Sequence, residues 1–358
     1  MILSIILMVV IFSVLVIAHE LGHFLAARRG GVKVEEFGIG FPPRLFKIRR
    51  GGTIYSINLF PIGGFVRLKG EDSAEKGPDS FATKSYKTKA KIVLAGVAVN
   101  FVIAYVLFYV LMVFGLPAIL PNGFVNVGSI RPDRVQTSPL LVLSVRPGSA
   151  ADQAGIRVGN EIISFNGEKV TTTERLQSLT KQYAGQQIDL GTAQRGVEQT
   201  KKITLGSDQQ EGYLGVASQP VEVAYYNPLK ALVAAFIALV QLVLATLAAF
   251  GEFIVGLFTK ARVSENVAGP VGIASIFTVI TKFGWKFVLA FTASISLSLA
   301  VINSLPLPAL DGGRFAIMSL NRMGVKISPE KEALAHWLGF GFLIILIIIV
   351  TISDISRL

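Results

Sequence analysis

The chain has 358 residues, of which 52% are hydrophobic and only 16% are charged, and its mean hydropathy is +0.59. A soluble domain usually carries about 25% charged residues, and a disordered chain is poor in hydrophobic residues. The composition therefore argues against the first class and excludes the second. The absence of cysteine excludes a disulfide scaffold, a cysteine zinc site and a thiol nucleophile.

The net charge of +11 is concentrated in one part of the chain. Residues 1–26 contain no lysine or arginine, whereas residues 27–91 contain fourteen basic and six acidic residues, or +8 of the total. Residues 117–225 contain ten of each and are neutral. Because basic loops beside apolar segments stay on the cytoplasmic side of a membrane, this clustering predicts orientation. Nucleic-acid binding is not expected, since no recognition motif accompanies the basic stretch.

Apolar runs cover residues 2–18, 92–116, 229–258, 287–305 and 334–352. A membrane-spanning helix needs about 20 predominantly apolar residues, so these runs predict a mainly α-helical polytopic membrane protein with about four transmembrane helices. The first run lacks a charged beginning and a small-residue cleavage site, which favours a retained helix over a signal peptide.

Residues 37–68 predict a membrane-associated β-hairpin, because 45–48 and 54–59 alternate in hydrophobicity around Gly51 and Gly52. A soluble cytoplasmic hairpin and a hairpin that dips into the bilayer both fit this stretch, which is rich in Phe, Ile and Gly. Backbone at membrane depth must be buried in protein or face a water-filled cavity.

Residues from about 138 to 216 have the composition of a soluble domain and resemble an α+β PDZ domain. The resemblance rests on a Pro-Gly-Ser turn, a short helix that ends before Gly155, and a tight turn at Asn166-Gly167. Ala150 and Asn160 stand where that family usually has Pro and Asp. Another small α+β module is the alternative. A PDZ-type domain binds a peptide as an added strand.

The motif with the clearest chemistry is His19-Glu20-Leu21-Gly22-His23, at the end of the first apolar run. Positions i and i+4 of a helix lie about 40° apart, so both imidazoles can reach one metal ion. Glu20 lies one step round the helix, where it can contact a metal-bound water without being a ligand. Zinc lowers the pKa of such a water to about 7, and a carboxylate then takes its proton. Ionisable groups in an apolar helix are costly and therefore indicate function.

Two histidines leave zinc one short of its usual three protein ligands. His336 stands alone at the start of the last apolar run and is typical of an interfacial residue. Asp311 is the better candidate, because it follows an uncharged apolar run that Pro306 and Pro308 break just before it. Broken backbone in a membrane protein indicates a functional cavity, whereas the alternative role for Asp311 is a helix cap.

Membrane geometry tests the pairing of Asp311 with the histidines. At about 1.5 Å per residue, His19 lies about 27 Å from Met1, close to the thickness of a bilayer core of about 30 Å. With residue 1 outside, the metal ligands lie toward the cytoplasm, in agreement with the basic loop that follows. The second apolar run then leads outward and places the PDZ-like residues 138–216 outside.

For Asp311 to meet the histidines, the run at 287–305 has to lead inward. Residues 226–286 must then cross the membrane zero or two times. Either 229–258 lies on or in the outer leaflet, which we favour, or 267–281 returns the chain.

In this order the motifs resemble the site-2 protease family of intramembrane zinc metalloproteases, and within it the bacterial RseP/RasP group. The resemblance covers nearly the whole chain and includes HELGH at 19–23, NSLPLPALDG at 303–312, VAGPVGI at 267–273 and SDISRL at 353–358. The insert has room for one PDZ domain, so a member with a single PDZ domain is expected.

The resemblance implies one zinc ion held by His19, His23 and Asp311, with Glu20 as the general base. It also implies that Asn303 positions the substrate or stabilises the developing oxyanion. These five residues form the expected catalytic and metal-binding set.

Substrate-binding roles are implied for four further residues. Pro306 and Pro308 shape the loop before the third ligand, and the hairpin, with Gly63 and Gly64, clamps the substrate as an extended strand. A helical peptide bond is shielded and has to be unwound before water attacks it. The implied substrates are single-pass membrane proteins already shortened by another protease, such as anti-sigma factors, or signal-peptide remnants.

The expected organisation has four regions: an N-terminal membrane region at 1–116, a PDZ-like domain at 117–220, a membrane-associated helical segment at 221–286 and a C-terminal membrane region at 287–358. The expected location is the bacterial cytoplasmic (inner) membrane, with the PDZ-like domain outside and the active site toward the cytoplasm. The lipid bilayer and the substrate are the expected partners. A non-enzymatic adaptor would lack the base or a ligand, and a transporter would show inverted repeats; neither feature is found.

Overall fold

The structure is a computed structural model that describes residues 2–71, 75, 77–118, 123–194, 196–207, 213–260, 268–325 and 327–356. The helices within these residues are α1 (Ile2–Arg29), α2 (Tyr86–Phe114), α3 (Ala150–Gln153), α4 (Thr173–Gln182), α5 (Pro228–Lys260), α6 (Pro270–Ile280), α7 (Trp285–Ser304), α8 (Asp311–Arg322) and α9 (Pro329–Ile355). The strands are β1 (Val34–Arg50), β2 (Thr53–Leu68), β3 (Leu116–Pro117), β4 (Arg134–Val145), β5 (Glu161–Phe165), β6 (Glu168–Lys169), β7 (Gln187–Gln194), β8 (Val197–Thr204) and β9 (Val216–Tyr225). Two compact units result, of which the first contains residues 1–107, 239–277 and 292–358, and the second contains residues 108–238 and 278–291.

Five helices in the described residues are long and apolar enough to cross a membrane: α1, α2, α5, α7 and α9. The chain is therefore a polytopic membrane protein with β elements, as its composition predicts. The candidate beyond the expected four is α5, the segment that we expect in the outer leaflet, and the number of crossings stays a prediction. α6 has 11 residues and is about half as long as a bilayer core is thick.

In the first unit, β1 and β2 form a hairpin that turns at Gly51 and Gly52. β1 bends after Gly40, whose φ is +78° and where an added Cβ would lie 2.3 Å from the carbonyl oxygen of Phe60, so glycine is required. Residues before the bend pair with both halves of β2, whereas residues after it pair with the first half. The hairpin therefore has four rows of backbone, in the order 44–50, 53–58, 34–41 and 60–68.

A buried carboxylate joins the four rows. Glu36 is 1% exposed and accepts hydrogen bonds from Arg44 at 2.6 and 2.7 Å, from Ser56 at 2.7 Å and from Arg67 at 2.9 Å. Each of these four residues lies in a different row. A buried charge is tolerated when it is paired and its lone pairs accept hydrogen bonds, and both conditions hold for Glu36.

The second unit contains a sheet with the strand order β3-β9-β4-β5-β7-β8, in which β6 pairs with β5. Its core consists of buried apolar side chains from strands and from α4, such as Leu140, Ile162, Leu176 and Leu190. The turn between β5 and β6 has positive φ at Asn166 (47°) and Gly167 (79°). This unit is an α+β module, and its assignment as a PDZ domain stays a prediction.

Both ends of the segment at 226–286 lie against this sheet. Near its beginning, Lys230 forms an ion pair with Asp133, which precedes β4. At its end, Lys286 donates a hydrogen bond to the hydroxyl of Tyr225 at 3.2 Å, and the carbonyl oxygen of Lys282 packs closely against Gly159. A segment that leaves and rejoins one side of a membrane crosses it an even number of times, so both alternatives from the sequence are retained. Residues 261–267, where the returning segment would begin, lie outside the described residues.

Candidate metal centre

Two candidate ligand atoms come from the second half of α1. His19 and His23 are one helical turn apart, and their Nε2 atoms lie 3.1 Å from each other. Both side chains are largely buried, with 10% and 13% exposed. Two imidazole nitrogens at this distance face one point in space, as the i, i+4 spacing predicts.

Asp311, the first residue of α8, contributes the third candidate ligand atom. Its Oδ2 lies 3.1 Å from Nε2 of His19 and 3.3 Å from Nε2 of His23. The loop before α8 turns sharply, with φ of +76° at Ala309, and α8 then begins against the backbone of residues 304–308, which Gly312 and Gly313 approach too closely for a side chain. This tight turn directs the Asp311 carboxylate at the histidines.

The three atoms have the spacing that a zinc ion requires. Ligands at about 2.0–2.1 Å from a tetrahedral zinc ion lie about 3.3 Å from one another, and the observed separations are 3.1, 3.1 and 3.3 Å. Oδ2 of Asp311 is buried and receives no hydrogen bond of normal geometry from the described residues. Three lone pairs that converge without a donor between them fit a cation.

Hydrogen bonds behind the ligands fix the histidine tautomers. Nδ1 of His23 lies 2.8 Å from the carbonyl oxygen of Ile92, so it carries the proton and leaves the Nε2 lone pair for the metal. The side chain of Asn100, fully buried on α2, lies 3.5 Å from Nδ1 of His19. A half-turn of this amide places Oδ1, which has no donor among the described residues, opposite Nδ1–H of His19. Ser296 of α7 in turn donates a hydrogen bond to the backbone carbonyl oxygen of Asn100 at 2.9 Å.

Glycine on α2 makes room for the ligands. A Cβ on Gly96 would lie 2.3 Å from Nε2 of His23 and 2.8 Å from Nε2 of His19. A Cβ on Gly22 would lie 2.6 Å from the carbonyl oxygen of Ala95. Such distances are shorter than van der Waals contact, so α1 and α2 approach closely at the metal centre because both positions lack side chains.

A cavity of about 230 Å³ lies beside the ligands. Its lining residues are His19, Glu20, His23, Phe65, Val66, Leu68, Glu71, Ile92, Val93, Asp311 and Arg314. One wall is therefore formed by residues 60–68, the last of the four rows, which we call the outer row of β2. Gly64 of that row packs on Glu20, since an added Cβ would lie 3.3 Å from Cγ of Glu20.

Other residues that the sequence selected lie outside the cavity lining. Asn303 is half-buried at the penultimate position of α7, and Pro306 and Pro308 lie in the loop that precedes Asp311. Gly63 packs against the ring of Phe41.

His336 belongs to the support of this loop. Its Nδ1 accepts a hydrogen bond from the backbone N–H of Ala309 at 2.9 Å, two residues before Asp311. Among the described residues, the group that could hold a metal ion contains His19, His23 and Asp311 and does not include His336.

Sequence reasoning did not select Gly96, Asn100, Glu71 or Arg314. The one available indication was Asn100, a polar residue inside the apolar run 92–116. A glycine in an apolar helix carries no comparable indication, because its importance depends on what lies opposite.

Comparisons with known proteins find relatives that are named as zinc metalloproteases. A sequence profile of peptidase family M50 matches residues 7–347. A protein of Clostridium acetobutylicum is 33% identical over 365 residues, which cover 98% of this chain and 97% of that protein. The zinc metalloprotease RasP of Bacillus licheniformis is 27% identical over 446 residues, with 99% of both chains covered. The regulator of sigma-W protease RasP of Bacillus subtilis is 26% identical over 442 residues, again with 99% of both chains covered.

Proposed function

Because the chain belongs to peptidase family M50, the site-2 proteases, we propose that it cleaves single-pass membrane proteins at a peptide bond within or next to the bilayer. The chain is a zinc metallopeptidase. Five helices in the described residues are long and apolar enough to cross a membrane. An enzyme embedded in lipid meets its substrate there, which supports a membrane protein as the substrate. The proposal concerns the substrate class and the residues that act on it.

We assign zinc binding to His19, His23 and Asp311, whose ligand atoms lie within 3.3 Å of one another. When bound, zinc acts as a Lewis acid that activates a water molecule and polarises the scissile carbonyl group. The hydrogen bond from Nδ1–H of His23 to the carbonyl oxygen of Ile92 orients this imidazole and leaves its Nε2 lone pair for binding.

Glu20 is the general base of the proposed reaction. It is adjacent to His19 in sequence and lines the same cavity as the ligands, without belonging to the ligand group. Its carboxylate accepts a proton from the attacking water and then donates it to the amine leaving group. One residue thus acts first as general base and then as general acid.

The outer row of β2 is the proposed substrate platform. Phe65, Val66 and Leu68 line the cavity, and the pairing of this row with residues 34–41 leaves its other edge open for an extended peptide. A peptide added to a sheet edge is held by backbone hydrogen bonds and is no longer helical, so its carbonyl groups become accessible. We assign Gly63 and Gly64 to this platform: Gly64 has no side chain toward Glu20, and Gly63 packs against the ring of Phe41.

Asn303 completes the proposal as a residue that positions the substrate or stabilises the oxyanion. It lies at the end of α7, and the loop with Pro306 and Pro308 connects it to Asp311. In this role the amide of Asn303 would donate a hydrogen bond to the reacting carbonyl oxygen and stabilise the negative charge that develops on it.

We infer orientation from charge. The basic residues at 27–91 follow α1 directly, so this loop and the metal centre face the cytoplasm of a bacterial cell, and the sheet unit lies outside. The proposed substrates are proteins that another protease has already shortened, such as anti-sigma factors, or signal-peptide remnants. The sheet unit, as a PDZ-like domain, would admit such shortened chains.

The single observation behind this function is the triangle of ligand atoms with Glu20 beside it. Purified protein is expected to contain one zinc ion per chain and to cleave a single-pass substrate in a chelator-sensitive reaction. Glu20→Gln should retain zinc and lose about 10²- to 10⁴-fold in rate, the usual contribution of a general base. Glu174→Gln, on the exposed face of α4, is the matched control and should leave the rate unchanged. Undiminished cleavage by Glu20→Gln, or full activity without metal, would contradict the proposal.

A further inference from the structure

The end of the β2 outer row is held by the side chain of Glu71. One carboxylate oxygen, Oε2, accepts a hydrogen bond at 3.2 Å from the backbone N–H of Leu68, the last residue of the strand. The neighbouring backbone N–H of Lys69 donates to the carbonyl of Lys33 at 3.0 Å, which attaches the strand end to the chain that follows α1. The strand is thus fixed to the α1 side by its own backbone.

The other oxygen of Glu71 connects the strand to α8. Oε1 accepts a hydrogen bond from the guanidinium of Arg314, which follows Asp311 by one helical turn on α8. The two side chains are 15% and 23% exposed, and both line the cavity beside the metal ligands. A charged hydrogen bond that is largely shielded from water is stronger and more directional than a surface ion pair.

Apolar contacts between the strand and α8 do not fix their relative position to the same degree. Phe315 and Met318 of α8 pack against the apolar cluster that includes Leu68. Apolar burial is non-directional, so such a contact tolerates sliding of one surface along the other. The ion pair has defined donor and acceptor atoms, and it therefore determines one register.

We propose that the Glu71–Arg314 ion pair sets the register between the substrate-binding strand and the helix that carries Asp311, and thereby selects which peptide bond is cleaved. This inference rests on the proposed function, because it takes the outer row of β2 as the substrate platform. Glu71 and Arg314 act as positioning residues: neither is a metal ligand, and both act through the strand and the helix they join. A shift of about 1 Å at the reacting bond costs up to about 100-fold in rate.

The experiment maps cleavage positions by mass spectrometry for full-length protein in detergent or lipid, with a single-pass transmembrane peptide as the probe substrate. Wild type should give one dominant product. Glu71→Gln and Arg314→Gln should each retain one zinc ion per chain, lose about 10- to 100-fold in kcat with a smaller change in KM, and give products displaced to neighbouring bonds. The double variant Glu71→Gln with Arg314→Gln should displace the products no further than either single variant, because both substitutions break the same interaction.

The ion pair between Lys69 and Asp79, at 3.0 Å in the same turn, provides the matched control. Asp79 is more exposed and does not line the cavity, so Asp79→Asn should leave rate and cleavage position unchanged. If Glu71→Gln does not fold, Glu71→Asp provides a second measurement, since it keeps the charge on a shorter side chain and should retain part of the wild-type product.

Outcomes of this experiment separate the two proposals. Wild type that does not cleave the peptide, or Glu20→Gln that still cleaves it, refutes the proposed function. Active wild type together with Glu71→Gln and Arg314→Gln variants that cleave the same bond at the same rate refutes the register role. Loss of zinc from these variants also refutes it, because the ion pair would then support the metal centre itself.

Discussion

Gly96 shows how one position without a side chain makes room for the proposed metal ligands. The two histidines point from α1 toward α2, and the space that they occupy is where the Cβ of any other residue at position 96 would lie. A motif search selects the histidines, because two of the three histidines in the chain are one turn apart in an apolar helix. It does not select Gly96, whose role depends on the approach of a second helix.

Gly96→Ala is expected to disrupt zinc binding. The added Cβ would lie 2.3 Å from Nε2 of His23, and relief of this overlap requires either ligand rotation or helix separation. Because changes behind the ligands already cost about 10- to 100-fold in metal affinity, direct displacement should cost about 100-fold or more. Chelator competition on the purified protein measures this affinity.

Gly341→Ala is the control for this prediction. Gly341 lies in α9, and an added Cβ there meets no heavy atom within 4 Å, so zinc affinity should be unchanged. Equal zinc affinity of Gly96→Ala and wild type would show that the ligands do not occupy the space opposite α2.

Ionisable residues in apolar segments could be predicted as functional from the sequence. Residues whose role depends on tertiary packing could not. His19, His23 and Asp311 stand out because ionisable groups are expensive in apolar segments. The hydrogen bond of His336 to the loop before Asp311 was not accessible, since it joins residues 27 positions apart whose approach depends on tertiary packing. The same applies to Glu71 and Arg314, which are separated by 243 positions.

At the scale of elements, the hairpin is wider than its sequence pattern indicates. Alternation around Gly51 and Gly52 predicts two strands and a turn, and the structure has that turn. The bend after Gly40 then folds each strand into two rows. Local alternation cannot specify this, because the pairing of residues 34–41 with both halves of β2 is a matter of register between distant segments.

Glu36→Ala should loosen the hairpin. The substitution removes the acceptor that Arg44, Ser56 and Arg67 share, and so it removes the polar connection among the four rows. Since both arginine side chains are partly exposed, water compensates them in part, and we expect a loss of about 2 kcal/mol in local stability. Hydrogen exchange of hairpin amides should accelerate about 30-fold, as this free energy predicts.

The adjacent residue Glu35 provides the comparison. Its carboxylate is 38% exposed and lies 3.3 Å from Arg67, an exposed ion pair of small energetic value. Glu35→Ala should therefore exchange like wild type. Similar protection in the Glu35 and Glu36 variants would mean that the buried carboxylate does not hold the rows together.

The structure also connects residues of two segments that resemble family motifs, VAGPVGI at 267–273 and SDISRL at 353–358. Asp354, near the end of α9, is 5% exposed and accepts hydrogen bonds from the backbone N–H groups of Gly269 at 3.1 Å and Gly272 at 2.8 Å. These N–H groups belong to the beginning of α6, where an acceptor is normally missing. Gly269 and Gly272 lie too close to Asp354 and to Val350 for side chains, which explains glycine at both positions.

At the scale of the whole molecule, the charge distribution and the attachment of the sheet constrain the topology together. Residues 27–91 carry +8 of the total charge of +11, which predicts a cytoplasmic location for this loop. The beginning of α5 and the beginning of α7 both contact the sheet unit, so α7 starts on the side where the sheet lies. Hydropathy alone could not predict on which side α7 starts, because it counts α5 as a span without regard to where its ends are attached.

A chain without cysteine is suited to testing this arrangement, because each introduced thiol is the only one. In cells whose outer envelope layers are removed and whose cytoplasmic membrane is intact, Thr171→Cys on the sheet unit should react with a membrane-impermeant maleimide. Met323→Cys, after α8 and 80% exposed, should react only after the membrane is permeabilised. Reaction of both positions from the same side would contradict the proposed orientation of the metal centre.

Thr259→Cys, near the end of α5, decides between the two paths for residues 226–286. We favour α5 in the outer leaflet, so this thiol should react from outside, as at position 171. The short length of α6 supports this path, since 11 helical residues cover about half of a bilayer core and return the chain poorly. Reaction only from the cytoplasmic side would instead require α5 to cross, and the chain before α7 would then have to cross back within the short segment at 267–281.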